Sequence, residues 1–395
     1  GRLVKGFALS AIANSVVMAG GYKIPEQSLN SMSLGAAYVA HTTGADTNYH
    51  NPANMAFMDA ERSYVEGGLT LAHLPSNVYT LAAPYSGESE TEDILIPFFH
   101  YVAPAIGDFR WGVSMVAPGG LTKRWQTTYQ KAFAEEFTLK VVEVNPSASY
   151  KISDELSVGA GLRFIYSEGV VKNDATGIGI PLVVDLEGDT FEFGYNLAMT
   201  YKPTSDINLA VTYRSEIELE EEGTATINGN SMDASVTVPL PAALNLAISK
   251  TWNDKFTLEF NYERTYWSAY ETLEFVGTPL PISPKDWKDT NTYRIGATME
   301  MDSKITAMMG FAIDETPVPI ETIGFELPDS DAKIFSMGFR YQQTENLSWG
   351  AAFLYDSKEA RSVTPGVVHN PILANGGGFT EGGAYLTTIG VAYEY

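Results

Sequence analysis

The chain has 395 residues, no cysteine and a formal net charge of −23, from 25 Lys+Arg against 48 Asp+Glu. Without cysteine it has neither disulfides nor a cysteine-ligated metal site, and repulsion from phosphates argues against a nucleic-acid partner. Aromatic residues reach 12% and charged residues only 18%, which argues against disorder. The body of the chain has no apolar run of about 20 residues, which a membrane-spanning helix requires. The length fits either two or three ordinary domains or one large barrel. No cofactor or metal site is predicted.

Residues 1–19 have the pattern of a secretory signal peptide. Arg2 and Lys5 precede a mostly small and apolar stretch, and Val17-Met18-Ala19 resembles a small-residue cleavage site. A short buried helix or an anchor is the alternative, but the stretch is too short to span a bilayer. We therefore predict an exported protein whose mature chain begins near residue 20.

From residue 61 onward the hydrophobic pattern has period two, which indicates strands. In Phe191–Tyr201 every second residue is large and apolar, and the residues between them are small or polar. A sandwich with a solvated face would carry more Lys and Glu there, whereas small residues suit the inside of a barrel whose outside meets lipid. About fourteen strands are predicted, an even number as closed bacterial barrels require. They lie at roughly 61–74, 93–105, 109–118, 136–151, 156–168, 189–202, 207–221, 236–251, 256–270, 290–301, 304–315, 332–343, 346–357 and 384–395, with bounds uncertain by about 2–4 residues.

The connections between these strands alternate between short turns and long loops, which is typical of outer-membrane barrels. We therefore predict an all-β fold, a transmembrane antiparallel β-barrel over residues 61–395 in the bacterial outer membrane, in contact with its lipid and lipopolysaccharide. Closure removes the sheet edges, whose unpaired backbone groups lipid cannot satisfy. The terminal Tyr395 resembles an aromatic signal for barrel-insertion machinery, although it also suits a plain strand end. The barrel is expected to be a monomer.

Residues 20–60 do not alternate, and with about fourteen strands the lumen is wide enough to hold them. We predict that they form an N-terminal hatch, or plug, with a mobile periplasmic tail as the alternative. The turn signal Asn51-Pro52 and a few apolar residues favour an ordered element. The candidates for an apolar ligand-lining set are Leu29, Met32, Leu34, Met55 and Phe57. The candidates for luminal charges, from the strand alternation, are Arg163, Arg214, Arg294, Arg340, Glu192 and Asp314.

Buried charges need partners, so the arginines are expected to pair with acids such as Glu192, Asp314 or Glu394. Gly112, Pro118 and Gly119 are candidates for a kink in the third strand, because Pro and Gly interrupt ladders. An equally good interpretation is that Pro118 merely ends the strand.

Several segments resemble the FadL/TodX family of outer-membrane transporters. The hatch carries Glu26-Gln27-Ser28, Gly35 and Asn51-Pro52-Ala53, which are similar to the family's N-terminal region. The stretches APGGLTKRW (117–125), YERTYWSAYETLEF (262–275) and DETPVP (314–319) resemble further family patterns in the family's order. Together the matches cover most of the chain after residue 20.

This resemblance implies a 14-stranded barrel that takes up long-chain fatty acids or small hydrocarbons without an energy source. The ligand would meet an apolar outer groove, then a deeper pocket beside the hatch, and leave sideways beside a kinked third strand. The loops between strands 5–6 and 7–8 look shorter than the family's. Basic groups are expected to meet a fatty-acid carboxylate in the deep pocket. Glu168 aligns near the position of such a cation, which leaves room for an uncharged ligand.

Three other functions were weighed. An outer-membrane hydrolase would need a nucleophile with a base in reach, and the five histidines form no such cluster in the sequence, so no enzyme is predicted. A general diffusion porin would lack the plug. An adhesin-type barrel would bind partners through acidic loops such as 216–222, although such a run is more often simply solvated. We predict a passive channel for hydrophobic molecules.

Overall fold

The computed structural model describes residues 20–395, and the predicted signal peptide lies outside this range. Most of the described chain is strand. In chain order the strands are β1 Tyr64–Leu74, β2 Asn77–Thr80, β3 Gly87–Glu88, β4 Glu92–Val102, β5 Phe109–Val116, β6 Gly120–Arg124, β7 Glu136–Lys151, β8 Leu156–Asp174, β9 Val183–Thr204, β10 Ile207–Arg214, β11 Ile217–Ile227, β12 Asn230–Leu240, β13 Ala243–Trp252, β14 Phe256–Thr265, β15 Thr272–Leu273, β16 Ser283–Pro284, β17 Thr290–Glu300, β18 Ile305–Asp314, β19 Ala332–Gln342, β20 Leu347–Lys358, β21 Arg361–Ser362, β22 Gly378–Glu381 and β23 Ala384–Glu394.

One antiparallel sheet of 17 segments closes on itself, because β1 pairs with both β4 and β23. Three wall strands each consist of two consecutive segments: β5 with β6, β10 with β11, and β12 with β13. The described residues therefore form a barrel of 17 − 3 = 14 wall strands, which confirms the predicted fold class. Closure is completed outside the ladder, where the Ser63 and Tyr395 backbones exchange two hydrogen bonds of 2.8 and 3.1 Å.

The alternation predicted from the sequence sets which side chains face outward. On β23, Ile389 is 58% exposed and Val391 53%, whereas Leu386 and Thr388, at the alternate positions of the strand, are fully buried. Since successive strand side chains point to opposite faces, the apolar face lies outside and the small or polar face lines the lumen. None of the helices within residues 20–395 is long and apolar enough to cross a membrane.

Wall strands five to eight extend further than predicted. The strands β8 and β9 reach Asp174 and Val183, and β11 and β12 meet at a two-residue turn. In that turn Asn228 and Gly229 have φ of +51° and +82°, which is the type I′ geometry that an Asn-Gly pair favours. The strict alternation of short and long links is therefore wrong at this point, because a local hairpin signal was missed.

The long loops fold into a second core at one end of the barrel. The strands β2, β3, β21 and β22 form a small sheet, and β15 pairs with β16. Helix α3 (Thr128–Ala134) follows β6, and the 3₁₀ turns of this end are Thr176–Ile178, Trp267–Ala269, Ile320–Thr322 and Leu373–Asn375. Aromatic rings join these loops, with Tyr79 and Trp125 packed edge-on against Phe325 at 5.2 and 5.3 Å between ring centroids.

The hatch, residues 20–60, packs against the inward faces of the wall. It contains α1 (Leu29–Ser33), α2 (Thr47–His50) and the 3₁₀ turn η1 (Pro52–Phe57). Ser28 caps α1, because its hydroxyl accepts from the Ser31 N–H at 3.2 Å. These elements are too short to be stable alone, so contact with the wall must hold them in place.

Candidate functional site

The Asn51-Pro52-Ala53 motif attaches the hatch to the wall. Asn51 is fully buried, and its amide donates to the Val39 carbonyl at 2.8 Å and to Thr200 Oγ1 on β9 at 2.9 Å. Its side-chain oxygen accepts from the Ala53 N–H, while the Ala53 carbonyl accepts from Ser157 Oγ on β8 at 2.7 Å. The motif therefore ends one hatch element, starts the next and fixes both to two neighbouring wall strands.

The small inward-facing residues of the wall let the hatch backbone come close. A Cβ placed on Gly310 of β18 would lie 2.2 Å from the Leu34 carbonyl, and one on Gly159 of β8 would lie 2.6 Å from the Ala53 nitrogen. Hatch residue Gly35 has φ of +57°, which a side chain rarely adopts. The sequence pattern of small luminal residues thus reflects a packed interface rather than an open pore.

The third wall strand is interrupted between Val116 and Gly120. Val116 pairs with Glu143 of β7 and Gly120 with Lys140, so three residues on this strand oppose two on β7. One extra residue in a strand makes a bulge and bends it. The bend contains Ala117, Pro118 and Gly119, and the last two are among the three candidate kink positions. Gly112 is not part of it, since it pairs regularly with Ser147 and lies under hatch residue Asn48.

The hatch pairs with the backbone of this bend. The Ile24 N–H donates to the Pro118 carbonyl and the Gly120 N–H to the Tyr22 carbonyl, both at 2.8 Å. The Gln27 side chain adds two hydrogen bonds to the Ala117 backbone. Its Nε2 donates to the Ala117 carbonyl at 2.7 Å, and its Oε1 accepts from the Ala117 N–H at 3.1 Å. The bend thus takes its hydrogen bonds from the hatch instead of from a neighbouring wall strand.

A gap in the wall lies next to the bend. The β4–β5 ladder stops at the pair Phe99–Met115, and backbone pairing resumes only where the Glu90 N–H donates to the Arg124 carbonyl at 2.8 Å. Between these points, residues 91–98 form no backbone hydrogen bond with residues 116–123 in the described structure. Pro97 lies inside this stretch and has no N–H to donate, which is typical of an unpaired edge. This signal was visible in the sequence and was missed.

A deep cavity lies between the hatch and the wall strands from β8 to β17, with about 770 Å³ of empty space that is partly open to solvent. It reaches Pro118 at the bend. The hatch side is lined by Lys23, Ile24, Pro25, Ala36, Val39, Tyr49, His50 and Pro52. Wall charges that face it include Arg163, Arg214, Glu263 and Arg294.

These luminal charges form two clusters, each built around a buried carboxylate. Glu143 of β7, fully buried, pairs with Arg163 at 3.0 Å and also with Arg214. Glu263 pairs with Arg294 at 3.3 Å and with Lys23 of the hatch at 2.6 Å. The Glu143 cluster therefore has two cations for one acid, which leaves positive charge facing the cavity, whereas Arg294 and Lys23 also interact with the carboxylate of Asp314.

Arg340 pairs instead with Glu66, at 3.0 Å, and donates to Asn30 of the hatch. All four arginines pair with luminal acids, but their salt bridges are with Glu143, Glu263 and Glu66 and not with Glu192 or Glu394. Of the acids named from the sequence, only Asp314 has an electrostatic interaction with one of them, Arg294. Glu192 accepts from Thr190 at 3.0 Å, and Glu394 pairs with Arg62 at 3.0 Å. Asp314 accepts from Thr292.

The five apolar hatch residues proposed as ligand lining hold the hatch to the wall instead. Leu29 and Met32 belong to a buried cluster with β18–β23, Leu34 packs with Met308, and Met55 with Val102. Phe57 lies under the Lys202 ammonium, 4.0 Å from its ring centroid. None of the five lines the deep cavity.

Two carboxylates named in the sequence analysis, Glu168 and Glu26, lie outside the charge clusters described above. Glu168 lies on the outward side of β8, where Tyr166 donates to it at 2.9 Å, so it does not replace a cavity cation. Glu26 of the hatch is 4% exposed, and neither of its oxygens has a hydrogen-bond partner among the described residues.

Tyr22 separates the deep cavity from the loop end of the barrel. Its ring packs against Trp267 at 4.7 Å and Trp287 at 5.6 Å between centroids, and its hydroxyl donates to the Pro239 carbonyl. A smaller cavity on the far side is lined by Tyr22 and Tyr270, whereas the next residues, Lys23 and Ile24, line the deep cavity. Burial raises the pKa of the loop residue Tyr270, which keeps its hydroxyl neutral.

The comparisons with known proteins agree with this architecture. Residues 10–395 match the family model described as "Outer membrane protein transport protein (OMPP1/FadL/TodX)". The chain belongs to the OMPP1/FadL/TodX family. It is 24% identical to a "Long-chain fatty acid transport protein" of Escherichia coli, over 89% of this chain and 92% of that relative.

Solved structures of the family share the fold. A Pseudomonas aeruginosa FadL homologue superposes with a TM-score of 0.79 at 20% identity, covering 95% of this chain and 99% of the homologue. The Pseudomonas putida toluene transporter TodX superposes with a TM-score of 0.71 at 16% identity, covering 94% and 98%. This FadL/TodX-type barrel is therefore an outer-membrane protein of a family of transport channels for hydrophobic compounds and fatty acids, as the sequence predicted.

Proposed function

We propose that this protein is a passive channel that takes up hydrophobic molecules, either long-chain fatty acids or small hydrocarbons, and releases them sideways into the outer membrane. The observation that carries the proposal is the wall gap at residues 91–98, beside a bend whose backbone is held by the hatch. The deep cavity reaches Pro118, in the bend that borders this gap.

The family supports a hydrophobic cargo, and physical chemistry supports the lateral route. An apolar molecule that entered periplasmic water would lose about 0.8 kcal/mol for every CH₂ that it exposes. Partition into the bilayer avoids that loss and needs no energy source. The excess of arginine and lysine over glutamate in the deep cavity also suits a carboxylate head group, so both cargo classes remain within the proposal.

The hatch acts as the gate in this proposal. Tyr22 closes the connection between the loop-end cavity and the deep cavity, and its neighbours hold the bend. A shift of this one segment would open the connection and release the bend together. We further propose that the protein works as a monomer, that its outward face contacts lipid and lipopolysaccharide, and that Tyr395 contributes to recognition by the insertion machinery.

The lateral route is tested by deletion of Pro118. Three residues of the third strand oppose two of β7 at the bend, so a chain shorter by one pairs continuously with β7 and no longer has the bend that borders the gap. We expect this variant to form the barrel and to lose uptake of a radiolabelled fatty acid and of toluene. Pro118→Ala, which keeps the extra residue, is the matched control and should retain uptake. Full uptake by the deletion variant would refute lateral release.

The gate is tested by deletion of residues 22–56. Planar bilayers should show a small, rarely conducting channel for the intact protein and a large steady conductance for the variant, because the lumen of about fourteen strands is then open to water. Equal conductance would remove the hatch from the mechanism. Mass spectrometry of the purified protein for a co-purified fatty acid or hydrocarbon would identify the cargo class.

A further inference from the structure

The wall gap has two edges, and one hatch residue is hydrogen-bonded to both of them. The Gln27 side chain bonds the Ala117 backbone on the third wall strand, at 2.7 and 3.1 Å. The Gln27 backbone carbonyl accepts from His100 Nε2 on β4, the other edge, at 2.8 Å. Gln27 therefore connects the two strands immediately beyond their last backbone pair, Phe99–Met115.

The imidazole of His100 is held from both of its nitrogens. The alternation of β4 turns the ring into the lumen, where it is fully buried. A carbonyl oxygen only accepts, so the bond to Gln27 places a ring proton on Nε2. On the other side Nδ1 bonds Ser114 Oγ of β5 at 2.8 Å. Asn48 Nδ2 of the hatch donates to the same hydroxyl at 2.8 Å, which leaves the hydroxyl proton available for Nδ1.

His100 supplies a bond that the Gln27 carbonyl does not receive from elsewhere. Among residues 20–395, no other group donates to this carbonyl. A buried carbonyl without a donor is costly, so without the ring the Gln27 backbone would have to shift. Its side chain would then shift away from Ala117. The group that holds the bend is thus positioned from the opposite edge of the gap.

We propose that His100 is the positioning residue of the lateral gate. Through the Gln27 carbonyl it keeps the Gln27 side chain in place on the bend, and so it holds the two edges of the gap together. The proposal rests on the function proposed above, because the wall gap is the exit in that function. Release of cargo through the gap would require Gln27 to leave at least one of its two partners, His100 or Ala117.

The test replaces His100 by two amides that separate its two ring nitrogens. In His100→Gln the amide can donate from the place of Nε2, whereas in His100→Asn it reaches only the place of Nδ1. Hydrogen exchange of the full chain in detergent is followed by mass spectrometry in peptides with residues 22–28 and 115–121. Both peptides should exchange at least about fivefold faster in His100→Asn, as expected for the loss of one hydrogen bond. His100→Gln should keep the protection of the unaltered protein.

Coupling to Gln27 separates positioning from a general loss of packing. In Gln27→Ala the link from His100 to the bend is already cut, so adding His100→Asn should not accelerate residues 115–121 further. Should His100→Asn not assemble, Ser114→Ala removes the partner that orients the ring and should accelerate the same two peptides. Additive effects in the double variant would overturn the proposal. The same acceleration in His100→Gln, or unchanged exchange in His100→Asn or in its replacement Ser114→Ala, would overturn it equally.

These outcomes are distinct from failure of the proposed function. Exchange is measured without cargo, so unchanged exchange in His100→Asn would remove the role of His100 and leave uptake by the unaltered protein as it is. Full uptake by the Pro118 deletion variant would remove lateral release and leave the exchange result as it is.

Discussion

Gln27 holds the bend of the third strand to the hatch, and its replacement by alanine should release it. The Gln27 side chain makes three hydrogen bonds, two with Ala117 and one of 2.9 Å with the Ile24 carbonyl, and it is 2% exposed. Only the two bonds with Ala117 join the hatch to the bend, so at about 1 kcal/mol for each bond the docked state loses about 2 kcal/mol. Because 1.4 kcal/mol is a factor of about ten, the undocked population should rise about thirtyfold.

Hydrogen exchange followed by mass spectrometry measures this population directly. The peptides that contain residues 22–28 and 115–121 should exchange about thirtyfold faster in Gln27→Ala, while β19 and β20 keep their protection. Gln130→Ala is the matched control, since Gln130 is also fully buried but bonds the Tyr85 carbonyl in the loops, at 2.7 Å. Unchanged exchange in Gln27→Ala, or the same acceleration in Gln130→Ala, would refute the role of Gln27.

Two further substitutions test the wall contacts. Glu143→Gln leaves two buried arginines without their carboxylate and should destabilise the barrel by about 3–5 kcal/mol. The thermal unfolding midpoint of this variant should therefore fall. The midpoint of the control Glu359→Gln should not fall, because the Lys333–Glu359 pair is exposed. Gly310→Ala places a methyl group 2.2 Å from the Leu34 carbonyl and should raise the basal conductance in bilayers while the barrel stays folded. A conductance equal to that of the unaltered protein would show that this contact does not hold the hatch.

The barrel could be predicted from the sequence because its cause is local. Alternating side chains point to opposite faces of a strand, so the order of apolar and small residues in Ala384–Glu394 determines which face meets lipid and which the lumen. The hatch was also visible, as a stretch without alternation that carries Asn51-Pro52-Ala53. The Asn228-Gly229 turn was equally local, and missing it was an error of interpretation.

Only the tertiary structure decided which charged groups meet inside the barrel. Glu143 lies 20 residues from Arg163 and 71 from Arg214, and no short-range pattern specifies pairs at such separations. The bend is a second example. Pro118 by itself indicates that the strand is interrupted, but not that its carbonyl pairs with Ile24, which lies 94 residues earlier in the chain. The sequence by itself determined the barrel and the facing of each strand, because period two acts within a few residues. Strand register and hatch docking decided where the cavities, the charge clusters and the wall gap lie, because these depend on contacts between segments distant in the chain.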